Sequence, residues 1–299
     1  MPVIGYFSGR SPDAEAPLRV PFLKALADSG FTVGRDVGIE YRFSEGHDQR
    51  LPALAAELVR RQVTMLVATD GPSAVVAKAA TATIPIVFTS ALDPVQTGLV
   101  ASCNRPGGNA TGIHVFGTAL GGKRLDLLRQ LVPNARLVAF IVSPNNPSTP
   151  FQIGEAEAAA QTMGLDLLVL TAANEGEIDK AFATVVERKA GAVLYGTNTL
   201  YQVLREQLVA LAARHRVAAM YEWREFVTAG GLMSYNTDRN EFGRLAGSYA
   251  GRILKGEKPA DLPVVQSSRF EFVINLKTAN ALGIEVPPTL LARADEVIE

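Results

Sequence analysis

Polar residues able to hold a small molecule recur directly behind the apolar runs of this 299-residue chain. In the first half, Ser8-Gly9-Arg10-Ser11 follows Val3–Phe7, and Thr69-Asp70-Gly71-Pro72-Ser73 follows Met65–Ala68. Thr89-Ser90-Ala91-Leu92-Asp93-Pro94 follows Ile84–Phe88. In the second half the equivalents are Ser143-Pro144-Asn145-Asn146, Gly196-Thr197-Asn198-Thr199, Tyr221-Glu222-Trp223 and Ser234-Tyr235-Asn236. Several of these stretches precede a helix-like segment, where free backbone N–H groups and the helix dipole favour a carboxylate. Asp70, Asp93 or Glu222 could answer an ammonium, and Tyr221, Trp223 and Tyr235 could supply flat apolar walls. The candidate ligand-binding set is Ser8, Thr69, Asp70, Ser73, Thr89, Ser90, Asp93, Ser143, Asn145, Asn146, Thr197, Asn198, Tyr221, Glu222, Tyr235 and Asn236. Each of the Ser, Thr, Asp and Asn residues could equally be an ordinary helix cap. The recurrence of these residue types in both halves is what points to binding.

Covalent chemistry finds no comparable support. Gly117 to Arg124 follows the spacing of a phosphate loop, but Arg124 stands where a Ser or Thr would hold magnesium. The first turn, Ser8 to Pro12, lacks the glycine pattern of a dinucleotide fold. His47, His114 and His215 are far apart, and none has a paired metal-binding spacing. Cys103 has no context that marks a nucleophile, and no Gly-x-Ser-x-Gly elbow is present. No catalytic residue, cofactor or metal is assigned, and the chain is not expected to be an enzyme.

The elements that must position these loops alternate along the chain. Runs such as Met65–Ala68 and Ile84–Phe88 are apolar on both faces, as in a parallel sheet covered by helices on both sides. Helix-like stretches separate them, which implies right-handed crossovers and a doubly wound sheet. Turn formers from Asn104 to Asn109 interrupt the pattern, and it then starts again. The tail departs from it: strand Gly231–Tyr235, helix Glu241–Leu254, strand Phe270–Ile274, helix Lys277–Leu282 and a last short helix Thr289–Val297. The expected architecture is α/β, with two doubly wound parallel-sheet lobes joined by a hinge that the chain crosses more than once. Residues 1–112 with 238–262 form the first lobe, and residues 113–237 with 263–299 form the second.

Basic and acidic residues nearly cancel, 29 against 30, so no broad field favours nucleic acid or an anionic membrane. A single cysteine excludes an internal disulfide. No apolar run approaches a membrane-spanning length.

The chain resembles the bacterial ABC-transporter substrate-binding proteins of the tryptophan/tyrosine-type group. The resemblance is carried by Gly230 to Tyr235, the segment Ile253 to Pro263, Phe270 to Ala279, and Pro287 to Ile298. Earlier matches are Ala79–Phe88, Asp93-Pro94-Val95, Arg105 to Gly112 and Lys123 to Leu128. It implies a type I periplasmic binding protein fold and a solute captured in an inter-lobe cleft by hinge closure. It also implies delivery to an ABC permease in the inner membrane by a monomer, with no nucleic-acid partner. The expected location is the periplasm, with an export signal that this sequence does not contain. The expected ligand is an amino acid or a small aromatic or apolar carboxylate. Asp70 and Asn236 stand where the group has a small residue such as Gly. The alternatives are the ligand-sensing domain of a regulator and an enzyme with a two-lobed α/β site.

Overall fold

The computed structural model describes residues 1–115 and 117–299, with the backbone alone at 117 and 118. The chain divides into two compact units, Met1–Phe116 with Asp238–Arg269 and Gly117–Thr237 with Phe270–Glu299.

The first unit begins β1 (Val3–Ser8), α1 (Pro12–Asp28), β2 (Gly38–Phe43), α2 (Leu51–Arg60), β3 (Met65–Ala68), α3 (Gly71–Ala80), β4 (Ile86–Ser90) and β5 (Ala110–His114). The second unit follows with α4 (Gly121–Leu131), β6 (Leu137–Val142), α5 (Thr149–Met163), β7 (Asp166–Thr171), α6 (Glu175–Glu187) and β8 (Ala192–Tyr195). It continues with α7 (Thr199–Val203), α8 (Arg205–His215), β9 (Ala218–Tyr221), α9 (Arg224–Thr228) and β10 (Met233–Thr237). The chain then returns to the first unit for α10 (Arg239–Leu254) and β11 (Val265–Gln266). It ends in the second unit with β12 (Phe270–Asn275), α11 (Leu276–Leu282), α12 (Pro288–Leu291) and β13 (Glu296–Ile298).

The first sheet has the order β11-β5-β4-β3-β1-β2, and every pairing in it is parallel. Its central strands β3 and β4 are buried at every position, as their uninterrupted apolar runs require. The second sheet has the order β13-β12-β10-β9-β8-β6-β7. One of its pairings, β10 with β12, is antiparallel. In each sheet the strand order reverses around an early strand, so the loops at the carboxyl ends open there.

Helices α1 and α10 of the first unit approach to backbone contact. Gly243, Gly247 and Gly251 fall on one face of α10, four residues apart. A Cβ on them would lie 2.5 Å from the Leu18 carbonyl oxygen, 2.3 Å from that of Phe22 and 2.4 Å from Ser29 Cβ. Their absent side chains let the helix that enters from Asp238 lie flat on the helix that starts at the β1 rim.

Two expectations from sequence are corrected. The last segment is not one helix over 289–297. It is the single turn α12 followed by β13, which pairs parallel with β12. Asp295 fastens that turn, its N–H donating to Phe272 O at 2.8 Å and its carboxylate accepting from Phe272 N at 2.8 Å. The helix expected over Leu200–His215 is two, α7 and α8, divided at Leu204. The chain stays with the first unit through Arg269, because β11 pairs with β5 and Ser267 N–H donates to His114 O. β5 runs to His114 within the first sheet, before the second unit begins.

Candidate functional site

In the first unit the polar rim is built from the turns after β1, β3 and β4. Asp70 is the N-cap of α3: its Oδ1 accepts from Ser73 N at 2.8 Å, and Ser73 Oγ accepts from Asp70 N at 3.2 Å. Its other oxygen accepts from Gly9 N at 2.6 Å and from Ser8 Oγ at 3.2 Å, tying the β3 and β1 turns together. Beneath them lies a buried charge pair. The Arg10 guanidinium donates to Glu15 at 3.0 Å and to Thr69 O at 2.7 Å. Glu15 also accepts from Tyr6 Oη at 2.8 Å and from Ser8 Oγ at 2.9 Å. Burial, and then the neighbouring Glu15 charge, hold the Tyr6 phenol well above its ordinary range. Thr89 Oγ1 donates to Thr69 O at 2.8 Å, and Ser90 Oγ accepts from Leu92 N at 3.0 Å.

In the second unit a comparable network joins four strand ends. Gln152, on α5, accepts from Thr197 N at 2.7 Å and donates back to Thr197 O at 3.2 Å. Asn146 donates to Thr197 O at 2.7 Å, and its own Oδ1 accepts from Ser148. Asn198 caps α7 through Leu200 N at 2.7 Å. Arg124, on α4, is 1% exposed; its Nε donates to Tyr235 O at 2.8 Å and its Nη1 to Thr197 Oγ1 at 3.5 Å. Burial lowers the Arg124 pKa, and the nearby Glu222 charge opposes that fall. Glu222 accepts from Asn236 Nδ2 at 3.1 Å, and Asn236 Oδ1 accepts from Thr237 N at 2.8 Å.

The structure therefore brings Ser8, Thr69, Asp70, Ser73, Thr89 and Ser90 into the first rim. It brings Asn146, Thr197, Asn198, Glu222 and Asn236 into the second, with Ser143 beside Thr149, whose Oγ1 donates to Ser143 O at 2.5 Å. Three candidates do not join a network. Asp93 is exposed, and its Oδ1 closes its own turn by accepting from Val95 N and Gln96 N. Asn145 is exposed. Tyr221 offers no free wall: one face stacks on Tyr195 at 5.3 Å and the other on Phe226 at 5.0 Å. Tyr235 is half-buried and stacked on Phe270 at 5.7 Å. Asp70 and Asn236, where a small residue was expected, spend their hydrogen bonds within the rims.

Sequence reading missed Glu15, Asp48, Gln152 and the role of Arg10. Glu15, Asp48 and Gln152 sit inside or next to a helix, away from the strand ends, so a search of strand-end loops passes over them, while Arg10 lies in the β1 loop but gives no sign there of its buried pairing with Glu15. Arg124 was visible only as a failed phosphate-loop position. In the structure it is a structural cation.

The Tyr195 hydroxyl, on a residue 2% exposed at the end of β8, has no hydrogen-bond partner among the described residues. An orphaned buried hydroxyl costs about 1–3 kcal/mol. Tyr195→Phe should therefore raise stability by about 1 kcal/mol, read from denaturant unfolding followed by Trp223 emission. A loss of stability instead would mean that the hydroxyl is bonded.

Two doubly wound units, each with a polar rim at its strand ends, define a type I periplasmic binding protein. An ABC domain from Streptococcus pneumoniae, solved in complex with L-Trp, is 26% identical, covers 99% of both chains and superposes with a TM-score of 0.90. A conserved domain protein from Vibrio cholerae shares the fold at a TM-score of 0.90, with 24% identity and 99% of each chain covered. The family model for ABC transporter substrate binding proteins matches residues 11–298, and the chain belongs to that family. A tyrosine-binding protein from Clostridioides difficile (strain R20291) is 26% identical over 264 residues, covering 88% of this chain and 76% of the relative. The protein is thus a solute-binding protein and not an enzyme. Proteins of this family bind a small molecule, typically work with an ABC permease and generally act outside the cytoplasm. No helix among the described residues is long and apolar enough to cross a membrane.

Proposed function

We propose that this chain captures an aromatic amino acid, tryptophan or tyrosine, and hands it to an ABC permease of the inner membrane as a periplasmic monomer. The observation that carries this reading is the pair of pre-organised rims. In each unit, backbone N–H groups and buried side chains are locked by mutual hydrogen bonds at the strand ends. Such rigid polar groups suit the charged head of an amino acid. The relatives described as binding tyrosine and as holding L-Trp support an aromatic side chain. The two units would close on the ligand, since a ligand favours whichever state gives it more contacts. Residues 1–112 with 238–262, and 113–237 with 263–299, approximate the two bodies that would move.

A melting assay with L-Trp, L-Tyr, L-Phe and L-Ala tests this. At a ligand concentration of 100 times Kd, binding adds about 2.7 kcal/mol of stability. An upward shift with an aromatic amino acid that grows with concentration, and none with L-Ala, is the expected result. No shift with any of the three aromatic amino acids would overturn the reading.

A further inference from the structure

Asp48 lies next to the first rim and takes no part in its hydrogen-bond network. Its segment, Ser44 to Arg50, is fastened over the β1 turn by three bonds among the described residues: Ser44 N–H donates to Ser8 O at 3.0 Å, Gly46 N–H to Gly9 O at 2.7 Å, and Ser44 Oγ to the same Gly9 oxygen at 3.3 Å. Glu45 and Gly46 hold left-handed backbone at φ 57° and 82°, unfavourable for the glutamate, so the segment keeps this shape only while it is held. Gly9 has no side chain, and two carboxylates converge on the space where one would stand. A Cβ there would be 3.3 Å and 3.4 Å from the Asp70 oxygens and 3.5 Å from Asp48 Oδ1. The Asp70 oxygens are occupied by Ser73 N, Gly9 N and Ser8 Oγ. Asp48 Oδ1 is cut off from solvent and has no hydrogen-bond partner among the described residues.

We propose that Asp48 and Asp70 form a proton-operated latch: a proton on Asp48 keeps the Ser44–Arg50 segment fastened over Gly9, and its loss sets two negative charges against each other and loosens the segment. Burial, and then the Asp70 charge, push the Asp48 carboxyl up to about 6. Asp70 faces it from the cap of α3. On the β1 turn, the Arg10 guanidinium is turned to Glu15 and Thr69 O. On Asp48's own segment, His47 is exposed and Arg50 pairs with Glu45 at 3.9 Å. Among the described residues, no lysine, arginine or histidine forms an ion pair with Asp48 or Asp70. The sign follows from linkage: a carboxyl whose folded pKa is raised stabilises the fastened state below its ordinary pKa, and loses that effect as pH rises through about 6. The latch does not depend on which ligand the rim takes.

Hydrogen exchange of the intact protein tests it, with rates corrected for the intrinsic effect of pH. Between about pH 5 and about pH 7.5, amides of residues 44–50 should lose about tenfold in protection relative to β8. In Asp48→Asn the same amides should keep their acid-state protection at both values. An unchanged ratio in the natural chain, or the same loss in the variant, would overturn the proposal. Should the variant not fold, the side-chain carboxyl 13C shift of Asp48 in the natural chain decides: a midpoint near 6 supports the latch, and a midpoint near the ordinary aspartate value of about 4 overturns it.

Discussion

Gly112→Ala should cost the first unit at least about 3 kcal/mol, enough to lower its unfolding midpoint markedly or to prevent its folding. Gly112 lies in β5 and pairs with Phe88 of β4. A Cβ there would stand 2.0 Å from Phe88 O, 2.7 Å from its nitrogen and 2.8 Å from its carbonyl carbon. These are backbone atoms of a strand buried at every position, so no side chain can swing aside. The methyl can be housed only by parting β4 from β5, which loses ladder hydrogen bonds and opens the sheet at the Thr89–Ser90 end of β4. Gly154→Ala, in α5, is the control. Nothing lies within 4 Å of its Cβ position, and replacing a mid-helix glycine with alanine should stabilise by about 1 kcal/mol. Urea unfolding followed by far-ultraviolet circular dichroism compares the two. A Gly112→Ala protein as stable as the natural chain would mean that β4 and β5 are not paired in this register.

Arg124→Met should destabilise the second unit by about 1–3 kcal/mol, the usual consequence of leaving buried acceptors without their charged hydrogen-bond donor. The methionine roughly fills the volume, so the loss is chiefly electrostatic. Tyr235 O loses the Arg124 Nε–H donor, and Glu222, 4% exposed, loses a nearby positive charge. Trp223, the single tryptophan, adjoins Glu222 and is itself 5% exposed, so its emission reports this unit directly. Adding Glu222→Gln to Arg124→Met should recover part of the loss, because the buried negative charge that Arg124 offset is then gone. Equal losses in the single and double variants would show that Arg124 acts through its hydrogen bonds and not through the Glu222 charge.

Much of the fold could be read from residue types. The runs at Met65–Ala68 and Ile84–Phe88 are buried strands because apolar side chains on both faces leave no solvent-exposed alternative. Asp70 and Asn198 cap helices because their short side chains reach a backbone N–H two or three residues ahead. The tail was misread where the signal is weakest. Glu296 to Ile298 is too short to show a strand period, and its partner, Val273 to Asn275, lies 23 residues upstream.

The strand-end loops, their small polar composition and the twofold α/β pattern are local properties, and the order of residues along the chain settles them. The membership of each rim is not local. Arg124 meets the Tyr235 carbonyl across 111 residues, and Ser8 meets Asp70 across 62. Tyr221 looked like a free ligand wall until Tyr195 and Phe226 were found against its two faces. Asp48 drew no notice in the sequence, and only folding set it close to Asp70 at Gly9. Burial and charge pairing depend on which distant groups converge, and that convergence exists only in the packed chain.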